Sequence, residues 1–173
     1  MKKSGLVAAF ALAAAFVLGG GVGYVAGHAN AGSEAATGFR IGSTMPDGTI
    51  YAGYQPEIIR PMYTTPVDAP GTYTWDEAAA YCSSYEQGIS GGNIWHLPTD
   101  GELNVLFANR AAIGGFNETG SFPAGFYWSS LPTGVMGTGS DNAQIETALD
   151  ARFSNGFQSI DDKRFAISLR CVR

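Results

Sequence analysis

The chain has 173 residues, a net charge of −5, and only 14% charged against 12% aromatic residues, with 24 glycines. An acidic chain repels phosphate backbones and anionic lipid, which argues against nucleic acid as a partner. An apolar content of 45% excludes disorder, and the glycine-rich, charge-poor balance fits a loop-rich secreted domain better than a helical bundle.

Lys2 and Lys3 precede an uncharged apolar stretch from about Leu6 to Val25, the pattern of an export segment that forms an N-terminal apolar helix. Ala29-Asn30-Ala31 reads as a small-x-small cleavage site, which makes residues 1–31 a removable signal peptide. The rival is an uncleaved anchor: Ser4 to Gly27 carries no charge and is long enough to cross a bilayer. In that reading residues 4–27 associate with membrane, and Gly19, Gly23 and Gly27 have the spacing that lets membrane helices pack closely. Either way two lysines hold the N-terminus in the cytoplasm, so the expected location of the rest is extracytoplasmic: secreted, periplasmic or on the cell surface. Removing the first 31 of 173 residues leaves 142, enough for one domain, and takes two positive charges with it to leave −7.

Residues 32–44 are expected to be a linker, Gly/Ser/Ala/Thr-rich up to Gly38, and residues 45–173 the domain. Met45-Pro46-Asp47-Gly48 places an Asp-Gly turn before Thr49-Ile50-Tyr51, which predicts a hairpin. Thr74-Trp75-Asp76-Glu77 matches a capping box and starts a helix over about Trp75 to Tyr85, with Trp75, Ala78, Ala79 and Cys82 on one face. Gly88 to Asn93 supplies its stop, and Ile94 to Pro98 is a brief extended segment. A second box, Thr99-Asp100-Gly101-Glu102, starts a helix over about Asp100 to Ala112 that buries Leu103, Leu106, Phe107 and the stem of Arg110, and ends at Gly114-Gly115. Short strand-like runs come next at Phe126 to Ser129, Ala151 to Ser154 and Phe165 to Val172. A hairpin, two helices and a strand-rich second half define an α+β fold.

Cys82 and Cys171 are the two cysteines of the chain. In an exported chain they are expected to bridge, tying the first helix to a terminal strand, Ala166 to Arg173; the alternative is two buried thiols. Catalytic signatures are scarce. His28 lies in the export segment and His96 beside Trp95, so no triad or histidine metal cluster can be assembled, and no cofactor or metal is implied. Asp161-Asp162, with Asp141 and Asp150, lacks the spacing of a calcium site and reads as a solvated acidic loop, and Gln55-Pro56-Glu57 precedes the first helix instead of lying in the later loops. Asp76 and Glu77, adjacent on a helix, point in different directions and serve capping. Trp75, Trp95 and Trp128 read as core, and Asn117-Glu118-Thr119, a glycosylation sequon, is assigned no role.

The run Trp95-His96-Leu97-Pro98-Thr99-Asp100-Gly101-Glu102-Leu103 resembles the W-R-L-P-T-x-x-E-L signature of bacterial domains called domain of unknown function 1566, similar to the C-terminal domain of a Legionella collagen-like adhesin. Tyr127-Trp128-Ser129-Ser130, Arg152-Phe153-Ser154-Asn155-Gly156 and Ser168-Leu169-Arg170-Cys171-Val172-Arg173 match later blocks in order, so the resemblance covers roughly Asp47 to Arg173. His96 stands where arginine is usual. The resemblance implies a C-type-lectin-like fold. From Asn109 onward the chain looks closer to target proteins of diversity-generating retroelements, often phage-borne. That likeness implies a framework of Arg152, Phe153, Gly156, Lys163 and Ser168 to Arg173, with a varied surface at Phe157, Ser159 to Asp162 and Arg164 to Ile167.

These readings predict an extracytoplasmic adhesion or binding domain, not an enzyme, that recognises a protein or a glycan on a cell surface and can act as an oligomer. The expected ligand-binding residues are Phe157, Ser159, Ile160, Asp161, Asp162, Arg164 and Phe165, a mixture of aromatic, acidic and basic groups over a short span. The acidic balance disfavours sulfated polysaccharide unless Arg152, Lys163, Arg164, Arg170 and Arg173 gather into a basic patch. Three rivals stand beside this reading. One is a membrane-anchored structural subunit of a virion or envelope; the second is a sulfatase-modifying-like oxidase, which needs a free thiolate; the third is a purely structural module without a ligand.

Overall fold

The computed structural model describes residues 38–85, 95–140 and 143–173. The expected export segment, residues 32–37 of the expected linker and the Gly88 to Asn93 stop lie outside the described residues. The fold opens at the Asp47-Gly48 turn, where Asp47 Oδ1 accepts hydrogen bonds from Thr49 N (3.0 Å) and Thr49 Oγ1 (2.7 Å). The segment before the turn, expected as linker, joins the domain: Gly42 N donates to Tyr51 O, Tyr51 N donates to Ser43 O, and Ile41 packs on the core.

β1 (Ile50–Tyr54) pairs antiparallel with β2 (Pro61–Thr64), from Ile50 opposite Thr64 to Tyr54 opposite Pro61. The two helices start where the capping boxes put them. α1 is Trp75–Ser84, and Glu77 Oε2 accepts from both N and Oγ1 of Thr74 (3.0 and 2.8 Å). α2 is Asp100–Ile113; Thr99 Oγ1 accepts from Glu102 N (3.1 Å) while Glu102 Oε2 accepts from Thr99 N (2.9 Å), and Gly114 is the C-cap. Ala78 and Cys82 of α1 are buried, as are Leu103 and Leu106 of α2.

The second half departs from the expected run of short strands. β3 (Phe126–Thr138), β4 (Gln144–Arg152) and β5 (Gln158–Asp162) form one antiparallel sheet in the order β3-β4-β5. β3 continues far past Ser129 as an exposed arm whose pairing with β4 slips in register at Pro132, Gly134 and Thr138. Such slips, with Pro132, Gly134 and Gly137 in the arm, erase the period-two signal by which strands are read. The expected terminal strand, Ala166 to Arg173, is a correction: it is extended chain making isolated bridges. Ile167 bridges Tyr73, Ser168 bridges Tyr127, and Val172 bridges both Thr64 and His96. It threads between the two sheets and pairs with a different partner at almost every step, so no ladder forms.

Two apolar clusters lie on opposite faces of the larger sheet, because neighbouring strand residues point opposite ways. Tyr127 and Ala151 face the cluster of Leu103, Leu106, Met62 and Phe153. Trp128 and Ala148 face the cluster of Ala78, Trp95, Ile167 and Leu169. Trp95 and Trp128 are thus core, whereas Trp75 is half-buried, with its indole N–H on Ser129 O (2.8 Å) and the Lys163 ammonium 4.2 Å from its ring centroid. The disulfide between Cys82 and Cys171 is formed, with Cα atoms 5.4 Å apart, and lies in the second cluster.

A bridge spanning 89 residues contributes about 4 to 5 kcal/mol through restriction of the unfolded chain. Denaturant melts with and without reductant should therefore differ by about that amount, and Cys82→Ser with Cys171→Ser should match the reduced protein. Coincident curves would refute the estimate.

Candidate functional site

Arg170 is fully buried and its guanidinium ties together segments distant in the chain. Its Nε donates to Thr65 O (2.8 Å), Nη1 to Asp68 Oδ1 (2.9 Å) and Gly115 O (3.0 Å), and Nη2 to Pro66 O (3.0 Å) and Gly114 O (3.1 Å). Phe116 lies against the guanidinium, 4.3 Å from its carbon to the ring centroid. The other Asp68 oxygen accepts from the Tyr127 hydroxyl (2.5 Å), which in turn accepts from Asn117 N (2.6 Å). Burial and the Asp68 carboxylate push the Tyr127 phenol far above its ordinary value, so it stays a hydroxyl. One cation thereby fixes the 65–68 loop, the turn after α2 and the base of β3.

β5 and the turn after it carry the expected ligand residues, and the structure makes that stretch an edge strand instead of a loop. Phe157 is 63%, Ile160 49% and Phe165 45% exposed, and Arg164 is exposed too. Ser159, Asp161 and Asp162 are half-buried. Strand alternation divides them, with Ser159 opposite Asp150, Ile160 opposite Leu149, Asp161 opposite Ala148 and Asp162 opposite Thr147. Gly156 is positioned by sterics: its φ is +76°, and an added Cβ would sit 2.4 Å from the Phe107 ring. Ile167, which the resemblance places in the varied stretch, is fully buried and belongs to the core.

Phe165 does not stand alone. Its ring centroid lies 5.6 Å from Phe122, which lies 5.5 Å from Phe126, and the Arg152 guanidinium sits over Phe126 at 5.6 Å. Beside this row of rings, Asp162, Lys163 and Arg164 line a polar cleft of about 340 Å³ with Thr74, Asp76 and Glu146. Arg164 pairs with Asp162 at 2.7 Å and Lys163 with Glu146 at 3.2 Å. The Arg164 hydrogen bonds outweigh desolvation and hold the Asp162 carboxyl below its ordinary value. Phe122, Glu146 and Asp76 were not read as site residues from the sequence; they come from three distant segments, and no spacing links them.

The conditional basic patch does not form. Arg170 is buried against Asp68, Arg173 pairs with Asp47, Lys163 and Arg164 have their own carboxylates, and the Arg152 Nε donates to Gly120 O (2.9 Å). Where the family signature has arginine, His96 Nε2 lies 3.0 Å from Glu102 Oε2. Burial raises the Glu102 carboxyl, but hydrogen bonds from His96 and Thr99 prevail and leave it below its ordinary value. Among the described residues no group of three or more histidine, cysteine or acidic side chains is placed to hold a metal ion.

The domain is thus a loop-rich α+β fold, held by a buried arginine and one disulfide, with a mixed aromatic and charged edge. Its residues 54–173 match the model of the Lcl C-terminal domain, and the chain belongs to that family. The expected relation to the adhesin-associated domains thus holds at family level. No curated protein sequence matches the chain.

Under the edge strand lies Asp150, expected from the sequence in a solvated acidic loop and found fully buried. Its Oδ1 accepts from Ser159 Oγ (2.9 Å), and its Oδ2 has no hydrogen-bond partner among the described residues. Burial, with the Asp161 carboxyl beside it, pushes Asp150 up to about 7 from 3.8. Between those values the folded chain holds a proton that the unfolded chain lacks, so stability falls as pH rises. The contribution is complete below about 4 and lost above about 7, on the order of 4 kcal/mol. The lowered carboxyls of Asp47, Glu77, Glu102 and Asp162 act oppositely, and only in acid. Asp150→Asn should therefore flatten the decline in melting temperature between pH 5 and pH 8, and an unchanged slope would refute the assignment.

Proposed function

We propose that this chain is an extracytoplasmic binding domain on a C-type-lectin-like scaffold. It recognises a protein or a cell-surface glycan through β5, the 163–165 turn and the Phe122–Phe126–Phe165 row. What carries the reading is the alternation along residues 157–165. Exposed Phe157, Ile160 and Phe165 interleave with polar and charged Ser159, Asp161, Asp162 and Arg164, while the residues across the ladder, Ala148, Asp150 and Ala151, are buried and fixed. Aromatic anchors with charged neighbours are the composition of binding hot spots, and a rigid base beneath them limits the ordering cost of binding.

The pairing of cations with acids on this face favours ligands that offer hydroxyl and amide groups over polyanions. The polar cleft suits such groups, with Asp76, Glu146 and Asp162 as acceptors and Lys163 and Arg164 as donors. The proposal carries no catalytic step, and both cysteines are consumed by their bridge, so a thiolate oxidase of the sulfatase-modifying kind has no nucleophile here. Diversification of residues 157, 159–162 and 164–166 fits the same face, since these side chains are exposed or half-buried and their replacement leaves the core intact.

Replacing Phe157, Ile160 and Phe165 together by serine should leave the melting temperature within a few degrees of the parent. Binding on glycan arrays and to intact cells should fall at least about tenfold, the usual cost of losing a hot-spot aromatic. Undiminished binding with an intact fold would sink the proposal. A near-copy of the final coding stretch beside a reverse transcriptase gene is the expected genomic signature of diversification.

A further inference from the structure

A second cavity lies away from that face. It holds about 600 Å³, against about 340 Å³ for the polar cleft, and opens between the 45–47 turn, the β1–β2 loop, His96 and Arg173. That volume suits a small organic molecule, and the walls have the expected mixture of apolar surface with a few convergent polar groups. Met45, Ile58, Pro61 and Tyr63 supply the apolar part. The cavity shares no lining residue with the cleft beside α1, so a ligand held in it is independent of the proposed recognition face.

Its charges decide the chemistry. Arg173 is committed to Asp47 and lies over the rings of Tyr63 and Trp95, 5.2 and 5.3 Å from their centroids. His96 is held by the buried Glu102. Arg60 is different: its carbonyl closes the β1–β2 loop by accepting from Gln55 N (2.8 Å), but its guanidinium has no hydrogen bond or ion pair among the described residues. Among the described residues, one uncommitted cation lines a cavity whose other charges are paired.

The loop that bears it is built at a cost. Ile58 and Ile59 at its tip are 56% and 81% exposed, and Ile59 has φ +47°, a left-handed conformation that a β-branched side chain strongly disfavours. No burial within the fold compensates either isoleucine. Strained positions of this kind gather at ligand clamps, and Ile58 is itself a wall of the cavity.

We propose that this cavity binds a small organic monocarboxylate with an apolar body. The carboxylate meets the fork of Arg60, and the body lies across Ile58, Met45 and Tyr63. A guanidinium matches a carboxylate with two parallel hydrogen bonds. One uncommitted positive charge balances a single negative one, whereas a phosphate dianion would bring surplus charge beside Asp47.

Phenylacetate and phenylacetamide, which differ in charge and little in shape, are the probes. In nuclear magnetic resonance titrations of the protein, phenylacetate should saturably shift the resonances of residues 58–60, Tyr63 and His96, and bind about tenfold tighter than the amide, the strength of one charge-assisted contact. Arg60→Gln should abolish that tenfold preference with the melting temperature unchanged, and Arg60→Lys should retain part of it. Four results would each overturn the proposal: equal affinity for acid and amide, shifts confined to other residues, no shifts up to the solubility of the probe, or an undiminished preference in Arg60→Gln.

Discussion

The guanidinium of Arg170 is the interaction on which the rest of this fold depends. A fully buried cation is tolerable only when its donors are satisfied and its charge is countered. Here four backbone carbonyls and the Asp68 carboxylate meet it between 2.8 and 3.1 Å. Lysine could not substitute, since three donors on a point charge cannot reach five acceptors set around a planar fork. The segments so held, 65–68 and 114–117, carry none of the seven described strands and helices. In a chain with few long elements, one side chain performs the organising work that a helix face performs elsewhere.

The disulfide acts on a different scale. Arg170 arranges the native state locally, whereas the bond between Cys82 and Cys171 restricts the unfolded chain over a long span. The two adjoin in sequence yet belong to opposite sides of the terminal segment. Cys171, with Ile167 and Leu169, points into the cluster under α1, and Val172 points into the cluster under α2. That segment joins the two half-cores, and each of its residues from Ile167 to Val172 is buried.

How much of this was legible in the sequence depends on the range of the forces involved. Both helices could be placed within a residue or two because a capping box is local, set by Thr74 with Glu77 and Thr99 with Glu102. The Asp47-Gly48 turn was legible for the same reason. Ala166 to Arg173 alternates like a strand and is extended, but whether an extended chain joins a ladder depends on what lies beside it. Gln158–Asp162 is too short and polar to signal a strand by itself, and only its register with β4 makes it one. Burial of Asp150 and of Arg170 had no local signal, since each is decided by groups distant in the chain. The Arg60 cavity has no local signal either, since its lining comes from the 45–47 turn, the β1–β2 loop, His96 and Arg173.

With two cysteines in the chain, a single intramolecular connectivity exists, so oxidation has no wrong isomer to correct. The hazard is temporal instead. The first sulfur precedes its mate by 89 residues, so while the chain is being made it waits as a solitary thiol with no companion in its own chain. Until Cys171 arrives, that sulfur can pair only outside its own chain, with a sibling, another protein or a small thiol.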